Sequence, residues 1–157
     1  MQYLLKPPWV EADHARVRNP YAPYLVAAGV TFDVIEVSET LGRSALDVLR
    51  ARHITPGPII LDRRYRRLGF LIPPAPPDAM PPRERGCGPR HHGRGCWITI
   101  PRPNSQPTDA LVWLVPPLDQ EQAPCTLPEV RSAIRAAAQS LGFRADPANP
   151  SPPEPPS

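Results

Sequence analysis

Four side chains in one short glycine-rich stretch, Cys87, His91, His92 and Cys96, are the residues best suited to meet at a metal ion. Two thiolates and two imidazoles make the donor set of a tetrahedral zinc site. Their spacing differs from that of zinc modules, which separate two close ligand pairs by about a dozen residues, and adjacent histidines seldom reach one ion together. The expectation is a loop without a cofactor, with zinc or another divalent metal as the open alternative. Cys96 beside His92 is also the nearest approach to a nucleophile with its base. Cys96 opens a strand-like run, however, where a small buried side chain suffices, and no G-x-S-x-G turn accompanies it. Gly86, Gly88, Gly93 and Gly95 neither follow a strand nor open a helix, so they make no phosphate-binding loop. The expectation is no complete catalytic constellation.

A second set of residues is basic. Arg63, Arg64, Arg66 and Arg67 crowd one turn, while Arg83, Arg85, Arg90 and Arg94 fall in the loop that follows. Brought together, they would attract phosphate, since each guanidinium can grip two oxygens at once, and Trp97 or Trp113 would offer a stacking surface. The plainer expectation is a solvated turn and a basic loop, with both tryptophans in the core. Lys6 is the only lysine in a chain of net charge +3. A coding sequence rich in G and C produces that arginine bias, so it permits a nucleic-acid partner without requiring one.

The elements that must position these residues are legible in outline. The 157 residues suffice for one core, and 26 prolines, which cannot donate to a helix or a ladder, must sit between elements or outside them. Pro20, then Tyr24, Leu25 and Ala28, predict a short helix within 19–28. Phe32–Val37 alternates and is rich in β-branched residues, which predicts a strand. Ser38 is an N-cap for a helix with Leu41, Ala45, Leu46 and Leu49 on one face, ending near His53. Pro58–Asp62 predicts a central, doubly buried strand, in a hairpin with Leu68–Ile72. Residues 73–95 predict a long surface loop. Cys96–Ile100 and Leu111–Val115 predict a second antiparallel pair. Thr126 and Glu129 form a capping box for a last helix bearing Val130, Ile134, Ala137, Ala138 and Leu141.

Together these predict an α+β fold of about five mostly antiparallel strands with two to three helices packed on the sheet. The expected organisation is an extended segment over 1–18, a single domain over 19–144 and a disordered, Pro-rich tail over 145–157. No apolar run approaches the roughly 20 residues of a membrane span, and Lys6, Pro7 and Pro8 interrupt the N-terminus, so neither anchor nor signal peptide is expected. Cys87, Cys96 and Cys125 leave one thiol unpaired in any disulfide scheme, which favours a reducing, cytoplasmic setting.

The run Gly57-Pro-Ile-Ile-Leu-Asp62, followed by Gly95-Cys-Trp-Ile-Thr-Ile-Pro-Arg-Pro103 and Leu111-Val-Trp113, resembles the N-terminal domain of bifunctional DNA primase/polymerases in shortened form. In that family a strand of pattern Gly-x-Val-Val-Leu-Asp-x-Asp supplies metal-binding carboxylates. The resemblance places Asp62 on the first of those aspartates and Arg64 on the second, where a cation would be repelled. Between Arg63 and Trp113 only Asp78, Glu84 and Asp109 remain, all in expected loops, so two-metal nucleotidyl transfer lacks its ligands. The family's histidine near the nucleotide phosphates has only His91 and His92 as loose counterparts. What the resemblance implies is a degenerate, non-catalytic accessory domain with residual affinity for nucleic acid through its arginines. The alternatives are a protein-interaction module whose tail, Pro147–Pro156, docks in a partner's aromatic groove, and a small metal-dependent enzyme.

Overall fold

The structure is a computed structural model that describes residues 22–76, 88–102, 105–117 and 125–142. Within them the chain forms β1 (Tyr24–Ala27), β2 (Asp33–Ser38), α1 (Glu39–Ala51), β3 (Ile59–Asp62), β4 (Arg67–Ile72), β5 (Arg90–His92), β6 (Trp97–Ile100), β7 (Leu111–Val115) and α2 (Leu127–Ser140). The class is α+β, with two helices and seven strands in two antiparallel sheets. The expected segments 1–18 and 145–157 lie outside the described residues.

Ser38 does two jobs at one junction. It ends β2 in extended conformation, and its hydroxyl accepts from the Leu41 backbone N–H at 3.4 Å, which starts α1. Gly42, Ala45, Leu46 and Leu49 form the buried face of that helix. Because α1 carries the chain across the sheet, β2 and β3 both run antiparallel to the strand that fills the gap between them, β4. The order is β5-β2-β4-β3-β7. The hairpin expected from Pro58–Asp62 and Leu68–Ile72 is present as β3–β4, but β4 takes the central place expected for its partner.

Alternation along the strands then makes two cores. Ile35, Val37, Ile59, Leu61, Leu68, Phe70 and Val112 face α1 and α2. Val34, Ile60 and Leu71 face the other way and join Phe32 and Ile100. This second face is partly covered by a two-stranded ribbon, β1–β6, whose Tyr24, Val26 and Ile98 point inward. The result is three layers: helices, five-stranded sheet, ribbon.

The ribbon accounts for two corrections. Tyr24–Ala27 is a strand where a helix over 19–28 was expected, because Tyr24 and Val26 gain a buried surface by alternating, and Tyr24–Ala27 finds a full register with Trp97–Ile100. Likewise, β6 pairs with β1, and β7 with β3, in place of the expected pairing of β6 with β7. The two strands serve different layers: Ile100 belongs to the ribbon-side core and Val112 to the helix-side core. Between them Arg102 and Asp109 form a bidentate clamp, with Arg102 Nε and Nη2 donating to Asp109 at 2.6 and 3.0 Å.

The third correction concerns the long loop expected over 73–95. Residues 90–92 form β5, paired with β2. Its apolar content is nil, so periodicity gives no sign of it; it is anchored by two pairs of imidazole and carboxylate, His91 with Asp33 buried and His92 with Glu36 partly exposed. Among the described residues no helix is long and apolar enough to cross a membrane.

Candidate functional site

Consecutive residues of a strand point to opposite faces, and β5 uses this to separate its histidines. His91 turns to the helix side, where its Nε2 lies 2.7 Å from Asp33 Oδ2 and both side chains are almost fully buried. The same Asp33 oxygen accepts from the Ala75 backbone N–H at 3.0 Å, so this carboxylate ties the edge strand and the segment after β4 to β2. His92 turns to the ribbon side, where its Nε2 lies 3.0 Å from Glu36 Oε2. The two imidazoles therefore cannot share one ion in this arrangement. Cys96 is a half-buried thiol ahead of β6, and Cys87 lies outside the described residues. Among the described residues no group of three His, Cys, Asp or Glu comes together to hold a metal ion.

The ribbon-side face carries a row of charge. Arg90 lies directly across from Glu36 on the β5–β2 ladder, and Arg67 lies directly across from Asp62 on the β4–β3 ladder. Arg67 Nη1 donates to Glu36 Oε1 at 2.9 Å, so Glu36 is held between Arg67 on one side and His92 on the other. The His92 hydrogen bond, with help from the charge of Arg67, holds the Glu36 carboxyl below the usual carboxylate range against the opposing effect of burial.

This row floors a cleft of about 490 Å³ where the ribbon stops short of covering the sheet. Val34, Ile60 and the bare backbone of Gly69 form its apolar base, and Trp97, Ile98 and Thr99 of β6 form one wall. Tyr65 stands at the mouth. Tyr65 is 70% and Trp97 68% exposed, so Trp97 sits on the surface, contrary to its expected place in the core. Trp113 is half-buried against the ribbon-side core.

The basic turn that precedes β4 is shaped by Asp62. Its Oδ1 accepts from the backbone N–H groups of Arg64 at 3.0 Å and Tyr65 at 3.3 Å, an Asx-type turn. Arg66 then adopts φ 51°, a left-handed conformation that completes the reversal. Arg63 and Arg64 project into solvent, with the Arg64 guanidinium carbon 5.7 Å from the centre of the Tyr65 ring. Arg66 makes a longer ion contact of 3.7 Å with Glu39. The residues directly opposite Asp62 on its two neighbouring strands are Arg67 and Leu111, so no carboxylate faces it there.

Of the arginines expected to form a patch, Arg67 and Arg90 line the cleft, and Arg63, Arg64 and Arg66 crown the turn beside it. Arg94 is exposed on the β5–β6 turn, where its backbone packs against Gly29. Arg83 and Arg85 lie outside the described residues. Sequence reasoning missed Glu36 and Tyr65. The available signal was a lone carboxylate at an alternate position of the apolar run Phe32–Val37, which places it on a face opposite Ile35 and Val37. No family model, curated protein or solved structure matches the chain.

Proposed function

We propose that this domain is a non-catalytic accessory module that binds single-stranded nucleic acid along the ribbon-side cleft, and that it descends in degenerate form from a primase/polymerase-like domain. The observation that carries the proposal is the coincidence of exposed aromatic rings and guanidinium groups at one cleft. Tyr65 and Trp97, both well exposed, border the same cleft as Arg67, Arg90 and His92. Proteins that hold single strands without sequence preference combine a basic groove for the backbone with aromatic platforms for the bases. Duplex DNA keeps its base faces stacked and would leave both rings unused.

The carboxylates support a binding role over a metal-dependent one. Glu36 is engaged by Arg67 and His92, and Asp62 by the amides of its own turn. Two-metal phosphoryl transfer needs several carboxylates free to coordinate cations.

Fluorescence anisotropy of the full chain with a labelled oligonucleotide tests this. Binding should be detectable at low salt, weaken log-linearly as salt rises, and weaken further in Arg64→Ala and Arg90→Ala. Trp97→Ala should lose about 1–3 kcal/mol of binding, the worth of one stacked base. Absence of binding at low salt, or binding indifferent to Trp97 and Tyr65, would overturn the proposal.

A further inference from the structure

Within the cleft, the group best placed to receive a phosphate is already occupied by the protein itself. Arg67 Nη1 and His92 Nε2 both address the carboxylate of Glu36, one at each oxygen, at 2.9 and 3.0 Å. All three side chains are about one quarter to one third exposed, so they are open to an entering ligand yet partly shielded from screening by water. We propose that Glu36 is a built-in competitor for the phosphates of the strand: its carboxylate fills the anion seat between Arg67 and His92, and a bound phosphodiester displaces it. This proposal rests on the nucleic-acid reading of the cleft.

The chemistry of the seat fits that exchange. A carboxylate and a phosphodiester each present one negative charge and two acceptor oxygens, so the second can replace the first on the same donors. Arg90, directly across from Glu36 on β5, is exposed and adds a further cation at the rim. Asp62, across from Arg67 on the other side, already gives one oxygen to the Arg64 and Tyr65 amides. Glu36 therefore sets how tightly the cleft holds a strand, restraining affinity in the resting protein and returning to its partners when the strand leaves.

The test is the same anisotropy titration on the full chain, with Glu36→Gln beside the wild type. Removing the competing charge should tighten binding about tenfold. The salt dependence should steepen by about 0.7 in log–log slope, the increment of one further phosphate contact on a single strand. As a second measurement that needs no variant, the side-chain NMR signals of Glu36 and His92 in the wild type should shift on saturation with the oligonucleotide. If the wild type binds while Glu36→Gln binds equally or more weakly, or the Glu36 and His92 signals stay in place, the competitor role is overturned and the binding function stands. If neither protein binds at low salt, the function itself fails and the competitor role falls with it.

Discussion

Asp62 Oδ1 accepts a hydrogen bond from the Arg64 backbone N–H at 3.0 Å. The residue that the resemblance marks as a metal ligand thus binds the backbone of the very residue that stands where a second ligand would be. A carboxylate used this way needs an acceptor oxygen, and a negative charge is dispensable.

Asp62→Asn should therefore keep the turn, because the asparagine amide oxygen can accept from the same two N–H groups. Asp62→Ala should cost about 1 kcal/mol of stability, the usual worth of such a bond. Urea unfolding midpoints decide between these roles. Equal losses in the two variants would remove the turn-forming function of Asp62.

Glu36 gives the fold a dependence on acid. Its folded-state pKa lies below the ordinary value of 4.5, held there first by the His92 hydrogen bond. A depressed carboxylate contributes stability that is present above its unfolded pKa and is lost as pH falls through the lower, folded one. The wild type should exceed Glu36→Gln by about 0.5–1 kcal/mol near neutral pH, and the gap should close below about pH 4.5. Asp109, lowered by its hydrogen bond to Arg102, titrates in the same direction in both proteins and cancels in the comparison. A gap that persists unchanged at about pH 3 would count against the assignment.

Gly42 tests how closely α1 sits on the sheet. Alanine in a helix is favoured over glycine by about 1 kcal/mol. Here the added Cβ would stand 2.8 Å from Leu68 Cβ, 2.9 Å from Leu68 Cδ2 and 3.0 Å from Val37 Cγ2, and both neighbours are fully buried. Overpacking of about 1–3 kcal/mol should offset or outweigh the propensity gain, leaving Gly42→Ala destabilised by up to about 2 kcal/mol. A raised melting temperature would show that the helix can lift away at little cost.

Elements announced by local chemistry are legible in the sequence. Ser38 started α1, and Glu129 reaches back to the Thr126 N–H at 2.9 Å to start α2. The β3–β4 hairpin was equally legible, since its two apolar runs are joined by a short polar turn. What stayed hidden depended on partners distant in the chain. Tyr24–Ala27 becomes a strand only because Trp97–Ile100 lies beside it, and Arg90–His92 only because Asp33 and Glu36 receive its imidazoles. The site followed the same division. The arginines of the turn were visible in the sequence, but their meeting with Glu36, Arg90 and an exposed Trp97 depends on strand order, which no local pattern encodes.

The brevity and polarity of β5 also bear on how the molecule behaves in a crowded solution. An outermost strand of apolar residues offers a row of unpaired amides on which a second molecule can grow by adding its own strand. Among the described residues, the row at this border of the five-stranded sheet is three residues long and made of Arg90, His91 and His92, with an exposed cation at its start. A foreign strand would gain few amide partners there and would bring its own backbone against a guanidinium. The same histidines that fasten β5 from both faces thus give this border of the sheet a resistance to open-ended stacking.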